Sequence, residues 1–172
     1  HNAFSRWVLD WIAPAVVGSG APLPRILNAG GDTTLVGNKA VVVFPSAATN
    51  PFGQFFMVEN RFRAANGNDG GQSLMPADGL LIWHVDSALA PGGLDFLYDD
   101  SDGTRKFLRL VQADGLNQIE AGGNADAADF FTSTRTFAPA SNPSSNSYEG
   151  SVTNVRVFNV SANNRVMTAQ IG

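Results

Sequence analysis

The chain has 172 residues, a net charge of −4, only 15% charged side chains and no cysteine. That length suits one domain, or one domain with an appended element, able to bury ~70% of its unfolded surface. The missing Lys/Arg cluster argues against a nucleic-acid or anionic-membrane partner, the missing cysteines exclude disulfides, thiolate metal sites and a Cys nucleophile, and no apolar run reaches the ~20 residues of a membrane span.

Glycine numbers 18, and Ser, Asn and Thr are plentiful, a surface chemistry that suits a loop-rich, all-β, exported protein. Along the chain, Phe4, Trp7, Val8, Trp11 and Ile12 fall at i, i+3, i+4, i+7 and i+8, the stripe of a helix with one buried face. Asn2 is placed to cap it and Pro14 to stop it. Residues 13–34 carry Pro14, Pro22 and Pro24 and read as a loop, with at most a short strand near Arg25–Asn28. Leu35-Val36 and Lys39–Phe44 flank Gly37-Asn38, a two-residue hairpin signal. Phe55–Phe62 alternates as a strand, with Phe56, Val58 and Phe62 on one face and Met57, Glu59 and Arg61 on the other. Glu59 and Arg61 are expected to pair along that face.

A Gly/Asn loop, Asn66–Ser73, leads into Gly79-Leu80-Leu81-Ile82-Trp83-His84-Val85-Asp86, the most hydrophobic run in the chain. Turn signals bound it, and its Ile, Trp and Val mark a buried strand. Leu81, Trp83 and Val85 share one face; Leu80, Ile82, His84 and Asp86 share the other, which turns polar where the strand emerges at a rim. A polar stretch at Asp95–Gly103 precedes a strand at Lys106–Gln112 and a turn at Asp114-Gly115. Residues 120–150 read as irregular, and Val152–Val160 with Arg165–Ile171 closes the chain as a hairpin. One helix and seven or eight short strands predict a mainly-β, antiparallel sandwich-like domain.

Few residues offer chemistry. With only two histidines, His1 and His84, and no HExxH, the chain lacks the pattern of a catalytic zinc site. No G-x-S-x-G and no phosphate-cradling G-x-x-x-x-G-K occurs. His84 and Asp86 are expected at the rim of the sheet, His84 hydrogen-bonded at the strand end.

Calcium is the better-supported ion. Asp100 and Asp102 lie in Asp99-Asp100-Ser101-Asp102-Gly103, which resembles part of a calcium loop. An EF-hand frame there puts Tyr98 first and Arg109 twelfth, where a Glu is required, so an EF-hand is rejected. Asn124, Asp126 and Asp129 form a second oxygen-rich loop, with Asp114 near in sequence. Such carboxylate and amide sets suit a hard cation.

Taken together, the order of motifs is informative. F-S-x-W-x-L-x-W-I-x-P (Phe4 to Pro14), F-x-V-E-N-R (Phe56 to Arg61) and G-L-L-I-W-H-V-D (Gly79 to Asp86) come first. Q-A-D-G (Gln112 to Gly115), N-x-D-A-x-D-F-F (Asn124 to Phe131) and P-x-S…Y-x-G (Pro139, Ser141; Tyr148, Gly150) follow. The series covers nearly the whole chain and resembles the C-terminal part of secreted zinc metallopeptidases of the immune inhibitor A family.

That resemblance implies that residues 1–14 are the last helix of the protease fold and residues 15–172 a β domain packed against it. The zinc-binding HExxH helix would lie upstream, so zinc would belong to that segment and no catalytic residue carries over to this chain. We expect a segment of a longer polypeptide, since it opens at His1 rather than Met and shows no leader. Its implied partners are the upstream catalytic domain and, through it, a protein or peptide substrate. Its implied setting is extracellular, secreted or on a cell surface, of bacterial type. The rival expectation is a stand-alone extracellular β-sandwich that binds carbohydrate or a cell surface, which needs solvent-facing rings among Trp7, Trp11, Trp83, Tyr98 and Tyr148. The patterning places the three Trp in the core.

Overall fold

The structure is a computed structural model and describes residues 1–46, 49–65, 75–101 and 103–172. The Asn66–Ser73 loop and Asp102 therefore lie outside the described residues. The chain is mainly β: one short helix, α1 (Ala3–Val8), is followed by β1 (Ala15–Gly18), β2 (Leu23–Asn28), β3 (Ala40–Phe44), β4 (Gln54–Arg61), β5 (Gly79–Asp86), β6 (Leu108–Val111), β7 (Val157–Phe158) and β8 (Val166–Ile171). They form a five-stranded sheet in the order β1-β3-β4-β5-β6 and a three-stranded sheet in the order β2-β8-β7. All pairings are antiparallel except β1 with β3, which is parallel.

The expected period-two faces are those observed. Val41 and Val43 of β3, Phe56 and Val58 of β4, and Leu80 and Ile82 of β5 point between the sheets, where they meet Leu27, Met167, Ala169 and Ile171. The opposite face of the larger sheet is apolar too: Val42, Phe44, Phe55, Met57 and Val85 form a second core beneath α1. This two-sided burial explains why β3, β4 and β5 read as near-continuous hydrophobic runs, as strands covered on both faces do. β5 is an interior strand, paired with β4 on one side and β6 on the other. Its first residue, Gly79, has φ 152°, and a Cβ there would lie 3.0 Å from the Cβ of Phe130 and 3.1 Å from the carbonyl oxygen of Phe131. Only glycine lets the Phe130-Phe131 segment bond so closely to the strand.

Several expectations need correction. Asn2 caps α1 as anticipated, its Oδ1 accepting from the Ser5 amide at 2.8 Å, but the helix ends at Val8 and Asp10 turns the chain with φ 58°. The predicted stripe therefore breaks. Phe4, Trp7 and Ile12 pack on the sheet, whereas Val8 is 65% and Trp11 59% exposed.

Residues 13–34 hold two strands rather than at most one. β1 is four residues long and hidden among Pro and Gly; β2 tolerates Pro24 because it lies at a sheet edge, where one side needs no donor. No hairpin forms at Gly37-Asn38. Val36 is fully exposed, and the segment is held to the end of β2 instead, with Asn28 donating from Nδ2 to the Val36 carbonyl at 2.8 Å and from its amide to the Asn38 carbonyl at 2.9 Å. The terminal hairpin does form, as β7 and β8.

Candidate functional site

Three polar clusters stand out, and the sequence pointed directly to two of them. The first lies where β4 and β5 end. Register sets Gln54 opposite Asp86 and Phe56 opposite His84. Asp86 is fully buried and accepts from Arg105 Nε at 2.5 Å. Arg105 also pairs with Glu149 and lies over the Tyr98 ring, 4.3 Å from its centroid. His84 stacks on Tyr148 with centroids 4.3 Å apart and an interplanar angle of 8°, touches Phe56 on the strand, and sits 3.1 Å through Nε2 from Gln54 Oε1. His84 is thus hydrogen-bonded at the strand end but buried there, and Asp86 beside it is sealed from solvent rather than emerging at a rim.

Burial, with Arg109 and Arg105 nearby, lowers the His84 pKa from its ordinary value to about 3. The ring is neutral at neutral pH, and its role here is packing and hydrogen bonding. The cluster fastens the loop before β6 and the Tyr148-Glu149 segment to the end of the sheet.

This makes a prediction with a definite sign. A folded-state pKa below the ordinary value means that the unfolded chain binds the proton first. Stability is therefore full above about pH 6.5 and falls as pH drops towards 3. Glu149, lowered to about 2 chiefly by its hydrogen bond from Gln54, adds to the loss only below its ordinary value of 4.5. Between pH 7 and 5 the His84 contribution amounts to about 2 kcal/mol. Urea midpoints at the two pH values should show that loss in the parent chain and little of it in His84→Gln. An equal loss in both would place the acid sensitivity elsewhere.

The second cluster is acidic. Asp114, after β6, and Asp126 and Asp129, around a single 3-10 turn (Ala127–Asp129), place one carboxylate oxygen each within 4.8 Å of one another. The turn is closed by reciprocal caps: Asp126 Oδ1 accepts from the Ala128 amide and Asp129 Oδ2 from the Asp126 amide, both at 2.7 Å. Asp129 is fully buried, and its Oδ1 has no hydrogen-bond partner. Burial raises the Asp129 pKa, and the charges of Asp126 and Asp114 push the same way. Gln118 donates from Nε2 to Asp126 Oδ2 at 2.7 Å, while its own Oε1 is buried without a partner. Asn124 lies exposed upstream of the turn.

Among the described residues, the structure thus joins Asp114, Asp126 and Asp129 but not Asp99 or Asp100 of the earlier acidic loop. Asp99 Oδ1 accepts from the Ser101 amide at 3.0 Å and closes a turn, while Asp100 Oδ1 accepts from the Leu108 amide at 2.9 Å and ties the loop to the start of β6.

The third cluster went unread as a site. Glu59, fully buried on the α1 side of β4, accepts from the Trp83 indole at 2.7 Å and from the Ala3 amide at 3.2 Å. It also pairs with Arg6 of α1 and, at 3.1 Å, with Arg61 Nε. Arg6 donates further to the Gly30 carbonyl at 2.7 Å. Part of the signal was present: Glu59 shares its strand face with apolar Phe55 and Met57 as well as Arg61, and an acid buried on such a face needs partners.

Among known proteins, no family model, no curated protein and no solved structure matches the chain. The functional reading therefore rests on the motifs and on the geometry above.

Proposed function

We propose that this chain is the non-catalytic C-terminal β segment of an exported, bacterial-type zinc metalloprotease, and that it buttresses the upstream catalytic domain or shapes its substrate cleft. The ordered motifs supply the family. The observation that carries the supporting role is the way α1 is held. A six-residue helix is too short to persist alone in water. Here its first turn and its Arg6 converge on one buried carboxylate of the sheet, and its end presents Val8, Leu9 and Trp11 to solvent. A helix gripped on one side and apolar at its exit is a mechanical link, and a domain attached through it would cover those side chains.

On this reading zinc belongs to the upstream domain, as does the peptide substrate. The isolated 172-residue chain, supplied with zinc, should leave casein intact, because it holds two histidines and no HExxH. Zinc-dependent cleavage by the purified chain would overturn the proposal.

One observation favours the stand-alone binding module instead. Trp11 offers an exposed ring, although Trp7, Trp83, Tyr98 and Tyr148 are all half-buried. Retention of the chain on an immobilised polysaccharide, lost in Trp11→Ala, would favour that module over the protease segment.

A further inference from the structure

We infer that Asp114, Asp126 and Asp129 hold one calcium ion, with the amide oxygen of Gln118 as a fourth ligand. This inference does not depend on the metalloprotease reading, since it follows from the residues around the 3-10 turn alone.

Clustered acids are common on protein surfaces without an ion, so the argument rests on what distinguishes this cluster. Asp129 is fully buried, yet Oδ1 has neither a donor nor a cation against it, while Oδ2 is used to close the turn. A buried carboxylate oxygen left bare costs free energy that folding would otherwise avoid. Among the described residues, no Lys or Arg forms an ion pair with any of the three acids. The second orphan is Gln118 Oε1, on the same amide whose nitrogen holds Asp126. A buried carboxylate oxygen without a donor, in a cluster with two further carboxylates, describes a site that lacks positive charge.

The donor set selects the ion. Every candidate ligand is oxygen, which favours a hard cation over zinc or copper. Coordination geometry then distinguishes the two common hard cations. Calcium binds oxygen at about 2.4 Å, so ligands on opposite sides of it stand about 4.8 Å apart. The three carboxylate oxygens lie within 4.8 Å of one another, close enough for one calcium ion to gather them into its shell. Magnesium, at ~2.05 Å and with a strict octahedral demand, accepts an irregular set of side-chain oxygens less readily than calcium does. The consequence for the fold is local. Asp114 follows β6, and Asp129 leads directly into Phe130-Phe131, which bonds to Leu80 of β5. One ion would tie the irregular 112–131 segment to the interior of the larger sheet.

The test is calorimetric titration of the chelator-treated chain with calcium chloride and, separately, magnesium chloride, read beside the melting temperature. Expected is one site per chain, with a calcium dissociation constant in or below the ~10⁻⁴–10⁻³ M range of extracellular modules and weaker magnesium binding. Calcium should raise the melting temperature and EDTA should reverse the rise.

Asp114→Asn keeps an acceptor for the Leu116 amide and so should fold, yet it should weaken calcium at least about tenfold through the lost charge. Asp100→Asn should bind as the parent does. No saturable binding, a melt unchanged by calcium and EDTA, or binding insensitive to Asp114→Asn would each overturn the site.

Discussion

Glu59→Ala is expected to destabilise the chain by about 3–5 kcal/mol, the cost of stranding buried charge when one partner of an ion pair is removed. Arg6 and Arg61 both approach this carboxylate with guanidinium groups that are themselves almost wholly buried. Without it, two cations lie against Met57, Trp83 and α1 with no anion to offset them, and the Trp83 indole and the Ala3 amide lose their acceptor. For a domain of this size the melting temperature should fall by roughly 10 °C or more. Glu59→Gln keeps the shape and an acceptor oxygen and should cost less than alanine. The double variant Arg6→Met/Glu59→Leu should recover part of the loss, because an apolar pair avoids the desolvation that the ions suffer. Urea unfolding of the three variants gives the ranking. Near-parental stability in Glu59→Ala would mean that α1 is not held by this network.

The second large effect is at Phe56. Its ring fills the space between the sheets against Phe137, centroids 5.1 Å apart, and backs the His84 ring at 4.5 Å. Phe56→Ala should cost about 3–5 kcal/mol, since neighbours on paired strands cannot collapse into the cavity. It should also act at a distance from the core itself. The His84 pKa is low chiefly because the ring is buried; opening the side that Phe56 covers should raise it towards the ordinary histidine value. An NMR titration of the two histidines, run beside urea unfolding, separates these results. A large loss of stability with an unmoved His84 resonance would show that the stack with Tyr148 alone keeps that ring dry.

These two residues also mark what was legible in the sequence. The strand around Phe56 and the strand from Gly79 to Asp86 were readable with their faces correctly assigned, because burial on both sides of a sheet leaves a dense apolar record with period two. β1 left no such record: four residues with Pro14 before and Pro22 after look like loop until β3 pairs alongside. α1 was overlong in the sequence because periodicity continued through Trp11 and Ile12, while the backbone reversal at Asp10 has no apolar signature.

The acidic cluster was half legible. Asp126 and Asp129 are near neighbours and Asp114 is close, so proximity was a fair expectation. The unpartnered Oδ1 of Asp129 and the side chain of Gln118 emerge only from the packing. Asp99 and Asp100 look equally acidic in sequence, but their oxygens go to backbone amides. Glu59 was read as one half of an ordinary strand pair, and what that missed was Arg6, 53 residues away in the chain. No local pattern carries such a contact.

The proposal that this is a support segment of a metalloprotease is most directly tested by sequencing the gene upstream of the His1 codon. The account predicts an HExxH helix followed by a Met-turn, in frame and within roughly a hundred codons for a domain of ordinary size. An open reading frame that starts at or near His1, or an upstream segment with no zinc-ligand pattern, would contradict it.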